Sequence, residues 1–123
     1  MNKRLFRFTL LFLLGLLVVT AAAPTPAAAQ SGEDWGRVQS AGKIVFGTSA
    51  DYPPFESYDS NFQLDGFDIA LAKEMGKRLG IEVEFTDFAF SGLFDALNLG
   101  QVDAVISALS VTPNRQTVAD FTN

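Results

Sequence analysis

Three short apolar runs punctuate this chain, at Lys43–Thr48, Ile81–Thr86 and Val102–Ile106, and a helical pattern fills each gap between them. That alternation constrains the fold more than any other feature. Strands separated by helical crossovers pair in parallel, with right-handed connections. The predicted order is β-α-β-α-β, an α/β fold built on a parallel sheet. Ile44, Val45 and Phe46 stand in a row, as in a strand buried on both faces. Ile81, Val83 and Phe85 alternate with polar residues, as in a strand with one exposed side.

The connecting segments carry their own signals. Glu33–Gly42, after a polar leader at Gln30–Gly32, predicts a short helix. In Phe67–Leu79, the residues Phe67, Leu71, Met75 and Leu79 form an apolar stripe at helical spacing, and Gly80 is placed to close the helix. Ser91 is placed to cap a second helix running to Leu99. Ser49–Asp65 is rich in proline, aspartate and aromatics and reads as a long loop or hairpin, with Phe55 assigned to the core and Asp51 to a loop or capping role. Ligands of open parallel sheets bind beyond the carboxyl ends of the strands. The topology alone therefore predicts that Ser49–Phe55 and Ser107–Arg115 meet.

The start of the chain reads as a targeting segment. Lys3, Arg4 and Arg7 precede an almost unbroken apolar run from Phe8 to Val19, and Ala21–Ala29 is alanine with two prolines among it. That is the pattern of a secretory signal over residues 1–29, with cleavage after Ala29 and a weaker site after Ala23. An uncleaved membrane anchor is the rival reading, because Leu5–Ala23 approaches the length of a bilayer span. The prolines and alanines favour cleavage. Losing that segment takes the formal charge from −5 to −8, because it holds three cations and no acids. So acidic a chain is not expected to bind nucleic acid.

The absence of cysteine removes a disulfide framework, a thiolate metal site and a lipid-acceptor residue. The absence of histidine removes a His-dependent triad and a His-ligated zinc. No metal or cofactor is expected, and the product is expected to diffuse in the periplasm.

Within this acidic chain, Ile106–Arg115 stands out. It reads ISALSVTPNR, and Arg115 is the only lysine or arginine after Arg78. A guanidinium offers a planar fork of N–H donors that matches a carboxylate two-on-two. Thr112 suits an N-cap, and Pro113 suits the first position of the turn that follows. A surface arginine after an ordinary turn explains the same residues less specifically.

GTSADYPPFE (Gly47–Glu56), GFDIALAKEMGKRLG (Gly66–Gly80), DFAFSGLFDALNLGQVDAVIS (Asp87–Ser107) and TPNRQTVADFTN (Thr112–Asn123) occur in that order. In this the chain resembles the periplasmic solute-binding proteins, family 3, of polar amino-acid ABC transporters. The resemblance spans about residues 43 to 123 and implies an incomplete first lobe of a two-lobed fold, with 30–42 as leader and short helix. Relatives of this kind are more than twice as long, and both a fragment and a truncated gene product fit this length.

The resemblance also implies roles. Tyr52 and Phe90 match aromatics that would wall a slot for the ligand's aliphatic body, although either could be ordinary packing. Ser107 and the carbonyl of Ala108 would face the ligand ammonium. Ser110 and Thr112 would donate to its carboxylate, and Arg115 would pair with it. Ser49 is a departure, because several relatives carry an acid there; a serine weakens the case for a strictly basic ligand, and Asp51 could compensate.

The implied function is capture of a small polar amino acid for an ABC transporter permease, by a protein that is not an enzyme and is monomeric at full length. One lobe alone would hold its ligand at millimolar affinity at best. Two alternatives share the scaffold. Cyclohexadienyl and arogenate dehydratases need a catalytic acid and an enclosing lobe, and no pair of candidate catalytic groups is evident here. A sensory ligand-binding domain needs a downstream membrane segment. Neighbouring genes would separate the three.

The signal reading makes its own prediction. N-terminal sequencing of exported protein should begin near Gln30, and intact Met1 in the membrane fraction would contradict it.

Overall fold

The computed structural model describes residues 31–122. The signal segment 1–29 and the leader residue Gln30 lie outside the described residues. Helix α1 (Ser31–Ala41) leads into strand β1 (Lys43–Thr48). A short meander follows, made of β2 (Asp51–Tyr52), β3 (Glu56–Tyr58) and β4 (Leu64–Asp65). Helix α2 (Phe67–Leu79) returns the chain to β5 (Glu82–Asp87). A 3-10 turn at Phe90–Gly92 enters α3 (Leu93–Asn98), then come β6 (Ala104–Val105) and the single turn α4 (Pro113–Gln116).

The β-α-β-α-β order read from the sequence is the observed one. The main sheet runs β5-β1-β6 with both pairings parallel. Lys43 to Thr48 pair in register with Glu82 to Asp87. All three strands therefore end on one edge. The second sheet, β2-β3-β4, is antiparallel and sits on that edge. The core gathers Phe46, Ile69, Ala72, Leu93, Ala96 and Val102, all buried. Phe46 stacks on Phe85 with ring centroids 6.1 Å apart.

Several sequence expectations are corrected. The Phe67, Leu71, Met75 and Leu79 stripe is exposed, and α2 instead buries Asp68, Ile69, Ala72 and Gly76. The reason is distance: a helix lying tightly on a sheet needs small residues at the contact. A Cβ at Gly76 would overlap the Val83 side chain and the Ile81 carbonyl. A stripe of large apolar residues does not report how closely a helix approaches its sheet, and here Gly76 sets that approach. Gly80 does close α2, in the left-handed conformation.

Ser91 caps nothing, because it lies inside the 3-10 turn and Gly92 precedes α3 without a side-chain cap. Phe55 is not core. It lies at the surface, stacked on Tyr52 at 5.7 Å and edge-on to Phe67 at 6.4 Å. The last predicted strand is shorter than Val102–Ile106, although Asp103 and Ile106 extend the ladder by donating to the Val45 and Gly47 carbonyls.

Two carboxylates fasten the sheet to its surroundings. Asp103 accepts from the Val45 amide at 2.8 Å and meets Arg37 of α1 at 2.6 Å. Asp87, at the end of β5, accepts from the Ala50 amide and from the Tyr58 hydroxyl. It thus ties the β1 exit and the meander to the same strand end.

The close approach of α2 to β5 is testable. Gly→Ala inside a helix ordinarily gains up to about 1 kcal/mol of propensity. Overpacking ordinarily costs about 1–3 kcal/mol. Gly76→Ala should therefore lower the melting temperature, while the same change at an exposed helical position such as Gly36 should not.

Candidate functional site

The carboxyl edge of the main sheet opens into a cavity of about 430 Å³. Asp51, Tyr52, Glu56, Phe90, Ser107, Ala108, Ser110 and Arg115 line it. Its volume falls in the range of small-molecule pockets. The segment after β6 supplies Ser107, Ala108, Ser110 and Arg115, the meander that follows β1 supplies Asp51, Tyr52 and Glu56, and the 3-10 turn supplies Phe90.

Arg115 is set by the turn that carries it. Thr112 adopts an extended conformation, and its Oγ1 accepts from the Arg115 amide at 3.3 Å. Pro113 takes the first helical position, where a missing N–H costs nothing. The guanidinium lies 5.4 Å from the Phe90 ring centre and 5.9 Å from that of Phe94, and one of its nitrogens donates to the Ser110 carbonyl at 2.8 Å. The two ring faces attract the cation, and further N–H donors remain on its other nitrogens.

The opposite character comes from buried acids. Glu56 is 1% exposed. Its Oε1 accepts from Ser107 Oγ at 2.9 Å, and its Oε2 is buried without a partner. Ser107 Oγ also accepts from the Ser49 amide at 3.1 Å. One hydroxyl therefore joins the ends of β1 and β6 to the meander. Ser49 Oγ in turn donates to Asp51 Oδ1 at 3.1 Å. Asp68, in the first turn of α2, accepts from the Ala108 amide, 2.6 Å away. Ala108 itself has φ of +45°, a conformation that side chains seldom adopt.

Burial pushes the Glu56 carboxyl above the usual carboxylate range. The Ser107 hydrogen bond opposes this, and the neighbouring Asp68 and Asp51 carboxylates reinforce it.

Of the residues singled out from the sequence, Tyr52, Phe90, Ser107, Ala108, Ser110 and Arg115 stand together around the cavity. Ser49 and Thr112 do not line it. Ser49 is buried behind the wall, and Thr112 is a cap. The Ser107 hydroxyl is also less free than expected, because its proton goes to Glu56. Asp51 belongs to the lining, which a capping role did not foresee, and Glu56 was missed. A signal for Glu56 existed. Taking Pro53-Pro54-Phe55 as a hairpin turn places Glu56 directly opposite Tyr52, which is the observed register.

A parallel sheet with an open, charged pocket on its carboxyl edge defines a small-molecule binding lobe. Comparison with known proteins makes this specific. Residues 44–123 match the bacterial extracellular solute-binding proteins, family 3, and the chain belongs to that family. It is 39% identical over 113 residues to the arginine-binding extracellular protein ArtP of Bacillus subtilis, a match that covers 92% of this chain and 42% of ArtP. It is 41% identical over 81 residues to the histidine-binding periplasmic protein of Salmonella typhimurium, covering 66% of this chain and 31% of that protein.

Among solved structures, the arginine-bound form of domain 1 from TmArgBP superposes with a TM-score of 0.69 at 40% identity, covering 71% of this chain and 69% of that one. Holo ArgBP from T. maritima gives the same TM-score, and there the match spans 39% of the neighbour. The chain thus spans about two fifths or less of these longer relatives and forms an incomplete lobe of a periplasmic binding protein-like fold. Among the described residues, no helix is long and apolar enough to cross a membrane.

The raised Glu56 titration has a consequence for stability. A folded-state value above the unfolded one means that stability is fully present at low pH and is lost as pH rises through the Glu56 titration. Glu56→Gln removes that dependence. Denaturant unfolding from about pH 4 to about pH 8 should show the variant gaining on the wild type as pH rises.

Proposed function

We propose that this chain captures a polar amino acid with a cationic side chain outside the cytoplasm, for delivery to an ABC transporter permease. The observation that carries the reading is one cavity lined by a single guanidinium and two carboxylates. Arg115 holds the ligand α-carboxylate in a two-on-two pair, the Ser110 hydroxyl donates to the same group, and the Ala108 carbonyl faces the α-ammonium. Asp51 and Glu56 receive the cationic groups, which answers the serine at position 49: the acid sits two residues further on and is held there by Ser49 Oγ. Tyr52 and Phe90 cover the aliphatic body and exclude water, which strengthens both charge pairs.

The relatives support a ligand of this class. ArtP of Bacillus subtilis is an arginine-binding protein, and domain 1 of TmArgBP was solved in an arginine-bound form. In that neighbour a single domain holds arginine. We therefore expect measurable arginine binding by this chain, above the feeble level that a one-lobed cleft suggests. The names of the relatives also place the family's work outside the cytoplasm, consistent with removal of residues 1–29 on export.

Arg115→Ala should cost about 2–5 kcal/mol of binding free energy, because the ligand carboxylate then lies desolvated and unpaired. Arg115→Lys should recover little, since the planar fork and its stacking on Phe90 are both lost. Calorimetry with L-arginine checks this, and an Arg115→Ala affinity within threefold of wild type would sink the assignment. Tyr52→Ala and Phe90→Ala should each weaken binding by about 1–3 kcal/mol. Variants that melt lower yet bind normally would place those rings in packing and not in the slot.

A further inference from the structure

Glu56 and Asp68 present an unresolved account. Glu56 Oε2 is fully buried and no donor reaches it. Leaving a buried carboxylate oxygen bare is costly. Asp68, 6% exposed, is held at the same corner: its amide donates to the Phe55 carbonyl at 2.9 Å, next to Glu56, and its carboxylate accepts from the Ala108 amide, next to the Ser107 that holds Glu56 Oε1. Two carboxylates cannot hydrogen-bond each other without a proton, since both are acceptors only. A proton held between the two carboxyls would satisfy the bare oxygen.

The surroundings favour that hydrogen. From β2, Asp51 lines the same cavity as Glu56, and from α2, Asp68 takes the Ala108 amide beside it. From the loop after β6 comes the neutral Ser107 hydroxyl. Asp65 on β4 pairs with Ser57, the next residue along β3, and is exposed. Asp87 of β5 engages Tyr58 at the far end of β3. Arg115, across the cavity, is the one cation among the lining residues, and Phe90, Phe94 and the Ser110 carbonyl already hold it. The acids therefore outnumber the cations beside Glu56.

We propose that the Glu56–Asp68 pair holds one proton in the ligand-free protein and gives it up to water when the cationic end of an amino acid enters the cavity. The inference rests on the functional reading above. The ligand's positive charge replaces the proton as the compensating charge, so no covalent bond other than the O–H is made or broken. The sign follows. Binding favours ionised Glu56, so affinity rises with pH through the Glu56 titration and levels off above it, changing by at most about tenfold per pH unit. Burial of Glu56 keeps this linkage from being screened away by solvent.

The experiment has two arms on the purified chain. In the first, the side-chain carboxyl carbon of Glu56 is titrated by NMR without and with L-arginine, the resonance being assigned by its loss in Glu56→Gln. The expected result is a midpoint above that of the exposed glutamates, falling when arginine is present. In the second, L-arginine is titrated calorimetrically in phosphate and in Tris at one pH near that midpoint. The apparent enthalpy should differ between the buffers in the sense of proton release.

An ordinary Glu56 midpoint in the ligand-free protein overturns the shared proton. A high midpoint that arginine leaves unmoved, with equal enthalpies in both buffers, overturns the release. If arginine does not bind at all, the functional reading and the release fall together, while the first arm without ligand still decides whether the proton is there.

Discussion

The site depends on a single hydroxyl. Ser107 Oγ takes the Ser49 amide as donor and Glu56 Oε1 as acceptor, so the ends of two parallel strands and the middle of an antiparallel meander meet at one atom. Each of those segments alone would be a surface loop with its own backbone needs. Joined, they form a wall. The same junction decides where charge can sit, because it fixes Glu56 in the interior and commits one of its two oxygens. Arg115 then has to supply the opposite charge from a separate turn, and Phe90 and Phe94 hold it there through their ring faces.

Much of this is legible in the sequence. The parallel order came from the spacing of three apolar runs, and the meeting of Ser49–Phe55 with Ser107–Arg115 followed from the rule that such sheets bind ligands beyond their carboxyl edge. Thr112 and Pro113 were readable as a cap because capping needs only local residues. What failed was non-local. The buried face of α2 is chosen by how closely β5 lies, and Gly76 carries no hydrophobic signal although it is the point of contact. Ser91 has the right chemistry for a cap, but the backbone enters α3 through a 3-10 turn one step too early. Phe55 is large and apolar, yet it packs on Tyr52 and Phe67 at the surface.

Glu56 shows why acids in binding sites are hard to find from sequence. It sits in a three-residue strand beside prolines and aromatics, where a glutamate ordinarily points to water. Its burial depends on Ser107, which lies 51 residues away. No local window contains both. Membership of the extracellular solute-binding family 3 explains why the segments occur together, but the physical reason for each is the hydrogen-bond accounting at the sheet edge.

Asp87 carries a consequence of a different kind. Its two oxygens take the Ala50 amide and the Tyr58 hydroxyl, so the β1 exit and the meander are both tied to the end of β5. With the Ser107 junction, both are in place before any solute arrives. A wall assembled beforehand imposes little ordering delay on an incoming molecule. For the proposed capture, encounter then proceeds at a similar pace for solutes of like charge, and discrimination among them is expressed in how long each one stays.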